Sequence, residues 1–115
     1  MRYMFNSCYK LQSVPKLNID SSQCTDMGYM FDNCYALTTL DLSNFDTSSV
    51  TDMEYMFYFC ESLEHIEGII DMKSCTSYRD MFYNCPKLSR VKIKNPPANF
   101  ESATRLNHSQ YEIVS

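Results

Sequence analysis

The residues of this chain that could do chemistry are six cysteines, the histidines His65 and His108, eight methionines, and an aspartate recurring at 20, 46 and 71. A zinc knuckle needs two cysteines a few residues apart, and here no two are closer than ten residues. A cysteine nucleophile needs a base beside it, and His65, five residues after Cys60, is the one candidate. Cys60, however, closes a run of apolar residues at helical spacing, whereas His65 stands between Leu63 and Ile66 in a strand-like stretch. The methionines recur at the same helical spacing and read as adaptable core filling rather than a soft-metal box. One carboxylate per repeat is thin for calcium, which takes roughly six to eight oxygens, and suits the capping of a turn. No glycine-rich phosphate loop or set of facing carboxylates is present. The expectation is a protein that is not an enzyme, with no catalytic residue, metal or cofactor.

What positions these residues is a repeat. Met-Phe stands at 4–5, 30–31, 56–57 and 81–82, with Cys at 8, 34, 60 and 85 and Leu at 11, 37, 63 and 88. The spacings are 26, 26 and 25 residues, and the first two units agree at 12 of 26 positions. A fixed period of this length marks a solenoid. Cys24 and Cys75 share a second column with Val50, so cysteine there stands in for an aliphatic side chain. Thiols that keep the repeat register read as small buried hydrophobes. If neighbouring units stack as helices roughly 8–10 Å apart, disulfides between them are out of reach, and the six thiols are free and reduced.

Each unit divides into halves with different periods. Met53, Met56, Phe57 and Cys60 fall at i, i+3, i+4 and i+7, as do Met27, Met30, Phe31, Cys34 and Tyr78, Met81, Phe82, Cys85. That spacing predicts one face of a helix. Ser49 followed by Asp52 resembles a capping box, and Asp26 and Asp52 would sit in the first turn where the helix dipole favours them. The second half, Leu37, Leu40 and Leu42, has the spacing L-x-x-L-x-L; its equivalents are Leu11, Val14, Lys16, then Leu63, Ile66, Gly68, then Leu88, Val91, Ile93. Alternation there predicts a short strand. Unit three is one residue shorter, which leaves Gly68 or Ile69 as the partner of Leu42. Ile19, Phe45 and Ile70, each followed by Asp, lead into the next unit.

The fold expected is therefore an α/β repeat: a short right-handed leucine-rich-repeat solenoid of about three and a half strand–helix units, with a parallel sheet on one side and helices on the other. Residues 1–97 form the solenoid, with units starting near 4, 30, 56 and 81. Residues 98–115 form a C-terminal cap, with a short irregular helix over 98–106 and a strand over 111–114. The chain opens inside a unit with no matching N-terminal cap, which predicts an exposed apolar end suited to end-to-end homo-oligomers or to a missing upstream portion.

Composition narrows the partners. A net charge of −4 with ten dispersed basic residues lacks the clustered basic face of a nucleic-acid binder. No apolar run reaches membrane-spanning length, and the first residues lack the apolar core of a signal peptide. Surface candidates are the positions where units disagree: Ser13, Pro15, Thr39, Asp41, His65, Glu67, Arg90 and Lys92 on the strand face, running from neutral through acidic to basic. A second candidate is the tyrosine column Tyr3, Tyr29 and Tyr55, with Tyr9 and Tyr35 nearby, tyrosine being a favoured contact residue.

The run LTTLDLSNFDTSSVTDMEYMFYFC, with its LDLS-x-FDTS-x-VTDM and MF-x-x-C segments, closely resembles the repeat of bacterial BspA-type leucine-rich-repeat proteins over residues 1–93. The resemblance implies surface proteins used in adhesion and host contact, with phage-borne or secreted relatives, no cofactor and no catalytic residues. It places the chain at the cell surface or in the medium, whereas a true start at Met1 without a signal peptide places it in the cytoplasm. Three functions follow: a non-catalytic module binding a protein through the strand face; a stacking segment of a larger surface or phage-tail protein; or a small phage-encoded inhibitor acting inside a cell.

Overall fold

The computed structural model describes residues 1–14 and 21–115. Its organising motif is a parallel β-solenoid of about four turns. Six strands run in chain order: β1 Ser13–Val14, β2 Thr39–Asp41, β3 His65–Glu67, β4 Ile69–Asp71, β5 Val91–Lys94 and β6 Tyr111–Val114. They form two three-stranded parallel sheets, β1-β2-β3 and β4-β5-β6. Register follows the repeat: Val14 pairs with Leu40, Leu40 with Ile66, and Ile70 with Ile93.

The helical half of each unit is not helical. The one α-helix among the described residues, α1 Phe100–Thr104, lies outside the repeats. In the second coil the N–H groups of Met27, Tyr29, Phe31 and Asn33 donate to the carbonyls of Asp52, Glu54, Met56 and Tyr58 in the next coil, at 2.7–2.9 Å. The intervening N–H groups of Met30, Asp32 and Cys34 turn back three residues, to the carbonyls of Met27, Tyr29 and Phe31, at 3.3 Å. An α-helix spends every N–H inside its own segment, four residues back. Here alternate ones leave for the neighbouring coil, so the chain becomes linked β-turns. Those turns place residues i, i+3, i+4 and i+7 inward just as a helix would, which is why the spacing misleads.

The turns require left-handed residues. Tyr3, Tyr29, Tyr55 and Asp80 have φ between 50° and 64°, and Ser7, Asn33, Phe59 and Asn84 between 57° and 59°. Asparagine adopts this conformation more readily than other non-glycine residues, while a bulky side chain there is an outlier held by its surroundings. The capping boxes also dissolve: Asp26 and Asp52 accept the N–H groups of Gly28 and Glu54, each at 2.9 Å, closing turns rather than starting helices. Asp46 and Asp71 close turns in the same way on Ser48 and Lys73, at 3.0 Å. Asp20, Ile19 and Lys16 lie outside the described residues.

Inside, equivalent residues stack. The rings of Phe5, Phe31, Phe57 and Phe82 lie 5.3, 5.6 and 5.1 Å apart and within 9° of parallel. Met27, Met30, Met53, Met56, Met81, Leu37 and Leu63 are wholly buried around them. On the sheet side, units differ at one corner. Gly68, at φ 101°, lies against the backbone of Leu42 and Ser43, where a Cβ would come within 2.9 Å. Gly68 thus fills the place opposite Leu42, and Ile69 is 45% exposed. Unit four omits the corner: β5 runs straight, so Ile93 pairs with Ile70 rather than continuing the Leu42 column.

Residues 98–115 stack beneath the fourth repeat. Carbonyls of Ala103 and Thr104 accept the N–H groups of Asp80 and Phe82, both at 2.8 Å, and Phe100 and Leu106 join the core.

Removing one ring from the middle of a stack leaves its neighbours without partners on both sides. Phe57→Ala is expected to cost about 3–5 kcal/mol, a large share of a small domain's stability of roughly 5–15 kcal/mol. Urea denaturation measures this; a loss below about 1 kcal/mol contradicts the stack.

Candidate interaction faces

The strand face gathers most of the residues singled out in the sequence. Ser13, Thr39, Asp41, His65 and Glu67 line one shallow open groove of about 380 Å³ whose floor includes Val14 and Leu40. Apolar residues at alternate strand positions turn inward, and their neighbours necessarily turn outward. His65 Nε2 lies 2.9 Å from Glu67 Oε2 on this exposed surface. Asp41 Oδ1 accepts from Ser43 through its N–H at 2.9 Å and its hydroxyl at 2.6 Å. Arg90 stands apart, in a left-handed conformation (φ 57°) just before β5. Lys92 belongs to the second sheet, between Ile69 and Glu112. Pro15 lies outside the described residues.

The turn half of the coils carries an aromatic surface. Tyr3, Tyr29 and Tyr55 form a continuous stack with centroids 5.0 and 4.9 Å apart, and Tyr9 stacks on Tyr35 at 5.2 Å. Further along, Tyr58 packs on Phe59 and Tyr83, at 4.6 and 5.4 Å. The tyrosines thus have a structural task, since stacked rings cover one another's faces and leave edges and hydroxyls outward. Arg2, which the sequence did not mark, ties this face together. Its guanidinium lies 3.2 Å from the carboxylates of Asp26 and Asp52 and 5.1 Å from the rings of Tyr3 and Tyr29. It does so by crossing Gly28, where a Cβ would sit 2.8 Å from Arg2 Nη1. Glycine in a column otherwise occupied by Arg2, Glu54 and Arg79 was the available signal.

Between the tyrosine columns lies Asp32, only 6% exposed, held by the side-chain amides of Asn6 and, at 3.2 Å, Asn33. Burial pushes its carboxyl above the ordinary value of 3.8, while the Asn6 contact pulls the other way. Folding therefore favours the protonated form. Stability from this group is complete below pH 3.8 and is lost as pH rises through the folded pKa. Asp32→Asn, which keeps an acceptor for Asn6, should raise the melting temperature by a few degrees at pH 7. The gain should shrink to nothing near pH 3; an equal gain at both pH values would rule out the ionisation as its source.

All six cysteines are free thiols. The separation of stacked helices cannot be the reason, since there are none. The thiols of Cys34, Cys60 and Cys85 instead donate to the carbonyls of Phe5, Phe31 and Phe57 in the preceding coil, at 3.0–3.1 Å. Burial pushes Cys34 and Cys75 up to about 11, and the neighbouring Cys85 thiol together with burial pushes Cys60 up further. Cys60 is fully buried while the His65 side chain is 53% exposed, so the two do not form a nucleophile pair. Among the described residues no group of three or more His, Cys, Asp or Glu side chains is placed to hold a metal ion, and no helix is long and apolar enough to cross a membrane. A thiol-reactive chromophore at pH 8 should label Cys8 and Cys24, the half-buried pair, well before the other four. Rapid labelling of Cys60 in native protein would contradict this packing.

A short stack of parallel coils, with one polar strand groove and one aromatic turn face, defines a β-solenoid scaffold. The chain belongs to the family described as "Mycoplasma protein of unknown function, DUF285", which matches residues 1–96. No curated protein and no solved structure matches it.

Proposed function

We propose that this protein is a non-catalytic interaction module that binds a macromolecular partner, a protein, through its strand face. The observation that carries this reading is the contrast between the two sides of each strand. Inward positions repeat with little change, as in Val14, Leu40, Ile66 and Val91, and are buried. Outward positions change type from coil to coil, as in Ser13, Thr39 and His65, and line a common groove. Solenoids use such stacked surfaces for recognition. The resemblance of the repeat to BspA-type leucine-rich repeats supports an adhesin-like role at a bacterial surface.

The test is capture from bacterial or host lysate with immobilised protein, followed by mass spectrometry. Replacing Asp41, Glu67 and Arg90 together by alanine should reduce capture of the specific partner at least about tenfold, as losing a few contact residues does. The melting temperature should fall by no more than a few degrees, the loss of the Asp41 contact with Ser43 being its main cause. Undiminished capture by the triple variant would reject the strand face as the binding surface.

A further inference from the structure

We propose that the contact segment of the protein partner is an extended, acidic stretch of chain, held by a row of cations along β5: Arg90, Lys92 and Lys94. The proposal rests on the reading above that the strand face binds a protein, and it names the chemistry of what is bound. Charge is uneven along the stack. Four of the chain's ten basic residues, Lys87, Arg90, Lys92 and Lys94, fall within eight positions of the fourth coil, and no carboxylate lies between Asp80 and Glu101. β5 is the middle strand of its sheet, paired with β4 on one side and β6 on the other, so the row lies on a sheet face. Val91 and Ile93 are buried, and the residues that alternate with them turn outward. The Ser89 N–H donates to the Glu64 carbonyl at 3.3 Å, which sets Arg90 in the coil below His65. The row therefore adjoins the groove.

The three cations have no partners of their own. Among the described residues the cations of ion pairs are Arg2, His65 and Arg105. Asp71 lies in register beside Lys94 and Glu112 beside Lys92, yet neither pair is among these. Asp71 instead accepts the N–H of Lys73 and the side-chain amide of Asn95, both at 3.0 Å, and Glu67 faces His65. Arg90 also holds a left-handed backbone, φ 57°, that its equivalents Thr39 and His65 do not share. Glycine or asparagine adopts that conformation at less cost, and the arginine found there supplies the row's third charge.

Spacing points to the ligand. Alternate residues of a strand recur on one side every ~6.6 Å, so three of them span about 13 Å. A partner chain in the same extended conformation repeats at the same interval. Glutamate or aspartate at every second residue then meets the cations one for one, while the residues between turn away. Ile69, 45% exposed and in register with Lys92, offers an apolar contact beside the row. A nucleic acid fits less well. Its affinity grows with the number of phosphates neutralised, and here Asp71 and Glu112 flank a row of only three cations in a chain of net charge −4.

The test uses two fluorescein-labelled peptides with equal numbers of glutamate and threonine, the glutamates alternating in one and contiguous in the other. A single-stranded oligothymidylate of the same charge is the third probe, and fluorescence anisotropy reads binding. The alternating peptide is expected to bind severalfold more tightly than either of the others, and to weaken as salt shortens the screening length to about 8 Å. Replacing Arg90, Lys92 and Lys94 together by glutamine should weaken it about tenfold, and replacing all three by glutamate should abolish binding. Circular dichroism confirms the fold of each variant, and the glutamine set serves if the glutamate set does not fold. Equal binding of the two peptides, tighter binding of the oligonucleotide, or undiminished binding by the glutamine set overturns the proposal. A partner captured from lysate equally well by the glutamine set, but lost on replacing Asp41 and Glu67 by alanine, overturns it while leaving the strand-face reading intact.

Discussion

The structure depends on where alternate backbone N–H groups go. In the Met-Phe half of each unit, every second N–H crosses to the next coil at 2.7–3.2 Å. That exchange converts a segment with helical spacing into a rung of the solenoid. It also brings equivalent side chains into direct register, so the phenylalanines stack, the tyrosines stack, and Cys34, Cys60 and Cys85 each meet a phenylalanine carbonyl of the preceding coil. A helix in this place would keep the same inward residues but supply no rungs, and the strand side alone, at two to four residues per strand, would be left to hold the coils together.

Much of this was legible in the chain. The period located every coil, and the inward columns Met30/56/81, Phe31/57/82 and Leu37/63/88 are all buried. The strands at 39–41, 65–67 and 91–94 and the terminal strand at 111–114 fall where alternation and the tail pattern put them. The helix did not, because inward spacing reports which residues face the core and is silent about hydrogen-bond partners. The hint lay in the outward positions: Asn33 and Asn84 share a column with Ser7 and Phe59, and a residue type suited to left-handed backbone recurring at one step of a supposed helix argues for a turn.

The surface was legible in part. Alternation along the strands put Ser13, Thr39, Asp41, His65 and Glu67 outward, and they share a groove. It could not foresee that unit four cuts a corner, which carries Lys92 into the second sheet beside Glu112. Nor does spacing reveal Arg2, whose reach across Gly28 to Asp26 and Asp52 spans three coils. Such long-range contacts are decided by stacking geometry, and only the missing side chain at position 28 left a trace.

The two cysteine columns show how constancy in a repeat can be interpreted. Cys8, Cys34, Cys60 and Cys85 never vary, and three of them donate across coils to a phenylalanine carbonyl at 3.0–3.1 Å. Cys24 and Cys75 donate only within their own coil, at 3.5 and 3.4 Å, and Val50 replaces them in the coil between. A valine fills the same space but cannot donate, so it is tolerated where the thiol's bond is local and weak and absent where the bond joins coils. Exchange with an aliphatic residue therefore describes the second column and not the first. The outward strand positions of Ser13, Thr39 and His65 change type between units and line the groove instead of the core. They are the positions at which a stacked scaffold can acquire a specific surface without losing its fold.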